Sequence, residues 1–281
     1  MSLSYKWRVV TGRAGFSLWN TLKVNFSVFP FAVARKLPIK AGRHLDTKGL
    51  GKGSIRFRDG VTIHKYMLRL GVTPWPLYSN KAMHTWLWFH AGASLVVGDE
   101  TDINSGCRFV LTAGATVETG DHFFINQNSL VYCSRSIRFG HHCTLGWDCQ
   151  VYDSDFHLCL DGVRGVVKNP VREVLVGDNV WVANRCTIGK GSVVPSNAVV
   201  ASGSLVNDDL AAQLAAALAE VETDDMKETV ENLEGEGALF AGTPAQLKRL
   251  GVRYITDKRQ ESRLRRQFAR EGKEEIVVNK V

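Results

Sequence analysis

The stretch from Leu175 to Leu210 reads LVGDNVWVANRCTIGKGSVVPSNAVVASGSLVNDDL. An apolar residue recurs in it at every sixth position, and each is followed by a small or turn-forming residue. These apolar positions are Val176, Val182, Ile188, Val194, Val200 and Val206. A strand points alternate residues to one face, so a corner in every hexad builds one wall of a three-walled solenoid. The pattern therefore predicts coils of three hexads, with Val182 stacked beside Val200 at about 4.8 Å.

The same period is present further upstream, starting near residue 93. The hexads there begin at Val97, Ile103, Phe109, Thr119, Ile125, Val131, Phe139, Leu145 and Val151. After Val151 the repeat stops until Val176, so residues 153–173 form a long excursion from the solenoid. Loops that project from a rigid scaffold are common places for chemistry, which makes this loop the first candidate.

The rest of the chain is arranged around a solenoid domain predicted for residues 55–207. Residues 1–54 predict a helical and irregular N-terminal arm, whose helix ends near Pro30. Residues 66–88 interrupt the period, and we expect a loop there. The segment 208–240 predicts an acidic helical insertion.

The C-terminal part, residues 241–281, predicts an extended turn over 240–245 followed by a basic helix over 245–272. Four of the cysteines fall at the inward position of their hexads, four residues after the apolar one. They are Cys107, Cys143, Cys149 and Cys186. This placement predicts small core residues, without a metal or a disulfide.

Charge and hydropathy limit the classes of partner. The longest apolar runs are shorter than a membrane span and the N-terminus lacks the apolar core of a signal peptide, so we expect a cytoplasmic protein. Residues 1–60 carry twelve Lys or Arg against two Asp, whereas residues 208–236 carry ten acids. Such a basic end is either a solvated face or a contact for an anionic ligand or surface, and we expect no nucleic-acid partner. The N-terminal arm either packs against the solenoid or a neighbouring subunit, or lies on an anionic membrane surface.

Four features of the sequence resemble the hexapeptide-repeat acyltransferases, whose fold is a left-handed parallel β-helix. They are the hexads, the segment DSDFH that ends at His157, the segment GDNVWV at 177–182, and the segment AGTPA at 241–245. The spacing from His157 to Trp181 also fits that family. The sequence looks most similar to the galactoside, maltose and capsular-polysaccharide O-acetyltransferases, chiefly over residues 93–207.

The resemblance implies transfer of an acetyl group from acetyl-CoA to a hydroxyl of a sugar or surface polysaccharide. It also implies a homotrimer, with active sites between neighbouring β-helices and no required metal. A hydroxyl is a weak nucleophile at neutral pH, and a neutral imidazole is suited to take its proton. His157 is the candidate general base. By the family match, the backbone amide of Asn184 stabilises the oxyanion that forms on the thioester carbonyl.

Further site residues follow from the same resemblance. The implied acceptor site contains Asn126, Asn128, Asp153, Asp155 and Trp181. The implied acetyl-CoA site combines small corner residues along the pantetheine arm with two basic residues at the phosphates. These are Ala183, Ala201, Ser202, Lys190 and Arg249.

Two other functions compete with acetyl transfer. A gamma-type carbonic anhydrase resembles the same fold, but it binds its metal through three histidines, and the spacing of His122, the pair 141–142 and His157 disfavours that pattern. A non-catalytic solenoid that serves as an assembly platform explains the charged ends, although it leaves the loop of His157 without a role. Among acceptors, the sequence of that loop favours surface glycans over free sugars.

Overall fold

The structure, a computed structural model, describes residues 15–72, 83–220 and 237–271. Its core is a left-handed parallel β-helix, which is the predicted fold class. The chain runs repeatedly through three walls of stacked strands, which we call the first, second and third walls. The first corner joins the first wall to the second, the second corner joins the second wall to the third, and the third corner leads back to the first wall.

The strands are numbered along the chain. The first wall contains Ile39–Ala41 (β1), Leu68–Leu70 (β4), Thr101–Ile103 (β7), Phe124–Ile125 (β10), Thr144–Leu145 (β13), Trp181–Val182 (β18), Ala198–Val200 (β21), Ala238–Ala241 (β23) and Gln246–Leu250 (β24). The second wall contains Leu45–Lys48 (β2), Thr85–Phe89 (β5), Arg108–Leu111 (β8), Leu130–Cys133 (β11), Gln150–Tyr152 (β14), Thr187–Ile188 (β19) and Leu205–Val206 (β22). The third wall contains Ile55–Phe57 (β3), Ser94–Val97 (β6), Thr116–Thr119 (β9), Ser136–Phe139 (β12), Val174–Val176 (β17) and Val193–Val194 (β20). The strands Leu160–Asp161 (β15) and Val166–Val167 (β16) form a separate antiparallel hairpin.

Successive coils stack in register, as the hexads predict. Val182 pairs with Val200 in the first wall, and Ile188 pairs with Val206 in the second wall. Every predicted hexad residue is buried, with at most 5% of its surface exposed. Full burial of a valine, leucine or isoleucine side chain contributes about 1.5–3 kcal/mol. These inward columns are therefore a major source of the free energy that holds the solenoid together.

The cysteines that the sequence assigns to the core are buried, which confirms that they pack as core residues. Burial raises the pKa of the Cys107 and Cys143 thiols to about 12. Both thiols therefore stay protonated and unreactive near neutral pH. Cys159, by contrast, is exposed on the long loop.

The β-helix begins earlier than the predicted boundary at residue 55. Strands β1 and β2 already pair in parallel with β4 and β5, in the first and second walls. The predicted loop over 66–88 is likewise wrong at both of its ends, because β4 and β5 lie there. The first coils are longer than eighteen residues, so their strands do not show the six-residue period. Residues 73–82 lie outside the described residues.

Two N-terminal helices close this end of the β-helix. Helix α1 (Leu18–Val28) ends before Pro30, as predicted, and α2 (Phe31–Ala34) follows it. The amide of Asn25 donates to the carbonyl of Ile39 over 2.8 Å and accepts from its N–H over 3.0 Å. These bonds satisfy the open edge of β1. Of the predicted alternatives for the arm, packing of this helix against the solenoid is therefore observed.

The C-terminal part departs from the sequence-based prediction in one respect. The acidic insertion begins with a helix as expected, α3 (Leu210–Glu220), and residues 221–236 lie outside the described residues. The basic helix α4 spans only Lys258–Glu271, because β24 occupies the start of the predicted range and residues from 272 onward are not described. Within the described residues, the helices are too short and too polar to cross a bilayer.

Candidate functional site

All of the predicted site residues except Trp181 and Arg249, which lie on strands of the first wall, fall on two edges of the second wall. His157, Asp153, Asp155 and Lys190 lie at its second corner, where the long loop leaves the coil. Asn126, Asn128, Ala183, Asn184, Ala201 and Ser202 lie at its first corner, in successive coils. The structure therefore sorts these residues into two groups.

The base of the long loop is held by Asp153. Its carboxylate is fully buried and accepts from the backbone N–H groups of Ser134, Arg135 and Ser136 over 2.6, 2.6 and 2.9 Å. The predicted contact of Asp153 with a substrate hydroxyl is therefore wrong, because both carboxylate oxygens are directed into the protein. This role could not be predicted from the sequence, since the three donors belong to the neighbouring coil.

The imidazole of His157 lies in a groove at the second corner. This groove has a volume of about 260 Å³ and is lined by Asp155, His157, Cys159, Leu160, Asp161, Val166, Lys168 and Lys190. The backbone N–H of His157 donates to the carbonyl of Asp155 over 2.7 Å, and the N–H of Asp155 donates to the carbonyl of Pro170 over 2.9 Å. The two arms of the loop are thus tied together beside the histidine.

Lys190 belongs to this groove as well. Its ammonium group forms an ion pair with the carboxylate of Asp155 and donates to the carbonyl of Asn169 over 3.2 Å. It lies at a different corner from the small residues of the predicted pantetheine channel. The predicted contact of Lys190 with a CoA phosphate is therefore unsupported within one chain.

An aromatic contact fixes the loop against the outer face of the second wall. The ring of Phe156 lies edge-on to Tyr132, with 4.7 Å between centroids, and 5.9 Å from Tyr152. Phe156 has a positive φ of 64°, which is uncommon for a bulky side chain. The role of Phe156 was not predicted from the sequence. The available signal was its position next to His157 in the segment DSDFH.

The first corner presents a backbone amide and a hydroxyl. Within the described part of the chain, the N–H of Asn184 has no hydrogen-bond acceptor. The side-chain oxygen of Asn184 accepts from the hydroxyl of Ser202 over 2.9 Å. Ala183 is almost fully buried, and Ala201 is half-buried. Small residues leave this corner open, which fits the predicted channel.

The other predicted acceptor residues lie near the same corner. Asn128 donates to the carboxylate of Asp148 over 2.6 Å, and Asn126 accepts from the N–H of Gln127 over 2.8 Å. Trp181 points outward from the first wall with 39% of its surface exposed, and its ring lies 5.8 Å from that of Tyr254. Arg249 is exposed on β24, at the end of the same wall.

One chain does not bring the two groups together. The six residues from Asn184 to Lys190 cross the second wall, and at about 3.3 Å per residue they span roughly 15–20 Å. A general base must lie within about 3 Å of the proton that it takes, or act through one water. His157 and the amide of Asn184 therefore cannot act on one carbonyl within a single chain.

A second cavity, of about 460 Å³, lies at the third corner and the first wall. It is lined by Glu100, His122, Phe124, His142, Thr144, Tyr254 and Thr256. The rings of His122 and His142 stack there with 4.7 Å between centroids. Burial, together with the neighbouring His122, lowers the pKa of His142 below its usual value. No site was predicted from the sequence at His122 and His142.

Metal ions in proteins are held by clusters of His, Cys, Asp or Glu side chains. Among the described residues, there is no group of three or more His, Cys, Asp or Glu side chains placed to hold a metal ion.

No protein-family profile matches the chain. Among solved structures, it is similar to a hexapeptide-repeat acetyltransferase from Vibrio cholerae O1 biovar eltor in complex with acetyl coenzyme A. The two are 24% identical, and the match covers 57% of this chain and 72% of that one, with a TM-score of 0.40. The polySia specific acetyltransferase NeuO is 17% identical over 79% of this chain and 97% of that one, with a TM-score of 0.41.

A third similar structure is that of a Ser-to-Cys mutant of AntD, an N-acyltransferase from Bacillus cereus, in complex with dTDP-4-amino-4,6-dideoxyglucose and coenzyme A. It is 11% identical over 90% of this chain and 98% of that one, with a TM-score of 0.45. These proteins are hexapeptide-repeat and related acyltransferases, as the sequence resemblance predicts.

Proposed function

We propose that the protein is an acetyl-CoA-dependent O-acetyltransferase that modifies a hydroxyl of a sugar or surface polysaccharide. The observation that carries the proposal is the position of His157. Its loop is tied at the base by Asp153 and fixed by Phe156 at the rim of the second wall, where it faces an open groove. An exposed imidazole on a fixed loop is suited to general-base catalysis.

The proposed reaction needs two groups from the protein. The imidazole of His157 takes the proton of the acceptor hydroxyl, whose oxygen attacks the carbonyl carbon of the acetyl thioester. The N–H of Asn184 donates to the oxyanion of the tetrahedral intermediate. The carbon–sulfur bond then breaks, and the thiolate of CoA receives the proton from the imidazolium. An acetyl ester and free CoA leave the site.

A second copy of the chain has to complete the site, because one chain holds the two groups at opposite edges of the second wall. The outer face of this wall is suited to such a contact. Its outward apolar residues are Trp86, Trp88, Val110, Leu130, Tyr132, Tyr152 and Leu205, all half-buried, and they share the face with polar residues such as Arg108 and Gln150. Aromatic and aliphatic side chains of this kind are typical of the core of a subunit interface.

The contact joins different surfaces, since the second corner of one chain meets the first corner of the next. A heterologous contact of this kind closes into a ring when its rotation allows. We propose a ring of three chains, as in the family that the motifs resemble. Each His157 then faces the Asn184 of a neighbouring copy.

The first corner is the proposed place of the pantetheine arm. Ala183 and Ala201 lie there in successive coils, Ser202 directly follows Ala201, and Arg249 lies exposed at the end of the neighbouring wall. We propose that Arg249 contacts the phosphates. Trp181 and Asp155 remain the proposed acceptor contacts, with Asn126 and Asn128 further along the corner.

The experiment is a thiol-release assay with acetyl-CoA and a panel of sugars, glycans and xenobiotics. Acceptor-dependent release of CoA is expected for at least one glycan. Acetyl-CoA should also raise the melting temperature, because it binds the folded state alone. If millimolar CoA gives no thermal shift and no acceptor supports thiol release, the assembly-platform function is favoured instead.

A matched pair of variants locates the CoA site. Ser202→Trp places a large side chain in the proposed channel at the first corner and should abolish the thermal shift. Ser196→Trp makes the same change at an exposed position of the third corner and should retain it. Equal shifts in both variants would place CoA elsewhere on the molecule.

A further inference from the structure

The N-terminal helices expose an apolar surface that neither the fold nor the proposed reaction uses. We define it as the outer face of α1 and α2. Its most exposed side chains are Leu18, Trp19, Phe26 and Phe31, with 57%, 74%, 42% and 72% of their surfaces exposed. The rings of Phe26 and Phe31 lie 6.1 Å apart, so the surface continues from one helix to the next.

This face has a fixed orientation. At 100° per residue, positions 18, 19, 22 and 26 fall within about 100° of the helix circumference. The opposite side of α1 is buried on the edge of β1, through Thr21, Val24, Asn25 and Val28. Because the hydrogen bonds of Thr21 and Asn25 with β1 hold that side in place, the helix presents its apolar side away from the solenoid.

The charged residues that α1 carries or that directly follow α2 are all basic. The first 45 residues of the sequence contain eight Lys or Arg and no Asp or Glu. Among them, Lys23, Arg35 and Lys36 are exposed on α1 or directly after α2. A protein partner would require a matching acidic surface of defined shape, whereas an anionic bilayer supplies negative charge and an apolar layer together.

We propose that the outer face of α1 and α2 docks on an anionic lipid surface. Tryptophan and phenylalanine side chains enter the region between headgroups and acyl chains, while the lysine and arginine side chains contact the lipid phosphates. Since these helices close the N-terminal end of the β-helix, docking leaves the second wall and its two corners free. This proposal does not depend on acetyl transfer.

The test is sedimentation of the full-length protein with vesicles of phosphatidylcholine, alone or with about 30% phosphatidylglycerol. We expect binding to the anionic vesicles, weakened by high salt because the charges are then screened. The variant Trp19→Ser/Phe31→Ser should lower the partition coefficient by about tenfold or more. Replacing Lys23, Arg35 and Lys36 by Gln should lower it about fivefold per charge.

The matched control is Val163→Ser, which removes an apolar side chain that is 98% exposed on the long loop. This variant should bind vesicles as the wild type does. Absence of binding to anionic vesicles, or equal binding by the Trp19→Ser/Phe31→Ser variant, overturns the proposal. It is also overturned if light scattering shows that this double variant dissociates an assembly of the wild type, because the face is then a protein contact.

Discussion

A Cβ atom on Gly146 would lie 2.6 Å from the backbone nitrogen of Asn184. The two coils approach so closely at the first corner that only glycine fits there, and a methyl group would displace the Asn184 amide. A backbone donor cannot be removed by changing its own side chain, so this contact offers an indirect way to move it. We predict that Gly146→Ala lowers kcat by about tenfold to a hundredfold, since the oxyanion donor is misplaced.

The control for this variant is Gly120→Ala at the third corner. There an added Cβ would lie 2.5 Å from the backbone nitrogen of His141, which is a clash of the same size away from the proposed site. Both variants should lose similar amounts of thermal stability, whereas only Gly146→Ala should lose turnover. Equal turnover in the two variants would remove the Asn184 amide from the mechanism.

Asp153 and Asp155 differ by two positions and should differ strongly in their effect on stability. The buried carboxylate of Asp153 accepts three backbone hydrogen bonds, so Asp153→Ala should cost about 2–4 kcal/mol of unfolding free energy. Asp155 is exposed and pairs with Lys190, and Asp155→Ala should cost at most about 1 kcal/mol. Denaturant unfolding measures both values, and a stable Asp153→Ala protein would contradict the structural role.

The fold was largely predictable from sequence because one inward residue per hexad is enough to identify a β-helix wall. Val182 and Val200 show this, since their pairing follows from the spacing alone. The first coils could not be predicted in the same way, because β4 ends at Leu70 and β5 begins only at Thr85, so the six-residue spacing is lost between them. In these first coils the only regular feature is the alternating burial of residues along each strand, as in Thr85–Phe89, which becomes visible in the structure.

The site was predictable in its residue types but not in its spatial grouping. The motif around His157 identified the loop, whereas the burial of Asp153 depends on backbone donors from the preceding coil. His157 and Asn184 are far apart because they lie at different corners of the β-helix. The six-residue period does not show at which corner a given residue lies. Lys190 also looked like a phosphate ligand until the structure paired it with Asp155.

The proposed trimer depends on the outer face of the second wall. Val110→Arg should disrupt the assembly, because a charge would be buried beside Trp88 and Tyr132, the neighbours of Val110 on that face. Val96→Arg makes the same kind of change on the outer face of the third wall and should leave the assembly intact. Light scattering at micromolar concentration distinguishes the two. A wild-type monomer would contradict the proposed site directly.

Two histidines at the third corner, His142 and His64, should have opposite effects on the pH dependence of folding stability. Partial burial and the neighbouring His122 lower the pKa of His142 in the folded state, so the unfolded chain binds a proton more readily. Folding stability should therefore fall as the pH drops below about 6.5, and His142→Asn should reduce that loss. Asparagine also tolerates the positive φ of 56° at this position.

His64 provides the comparison of opposite sign. Its hydrogen bond to Asp99 raises its pKa, so it stabilises the fold below about 6.5 and loses this effect as the pH rises through the raised pKa. His64→Asn should therefore increase the loss of stability in acid. Thermal melts at several pH values measure both variants, and a change of the same sign in both would show that other groups control the acid response.

The most direct test of the central claim is the turnover number of His157→Ala with acetyl-CoA and a verified acceptor. The side chain of His157 is exposed on its loop, so the assembly, the melting temperature and the CoA affinity should remain close to those of the wild type. The account predicts a fall in kcat of about 10²- to 10⁴-fold with little change in KM, because the proton is removed only on the way to the transition state. A variant that keeps more than about a third of the wild-type kcat would show that His157 is not the general base.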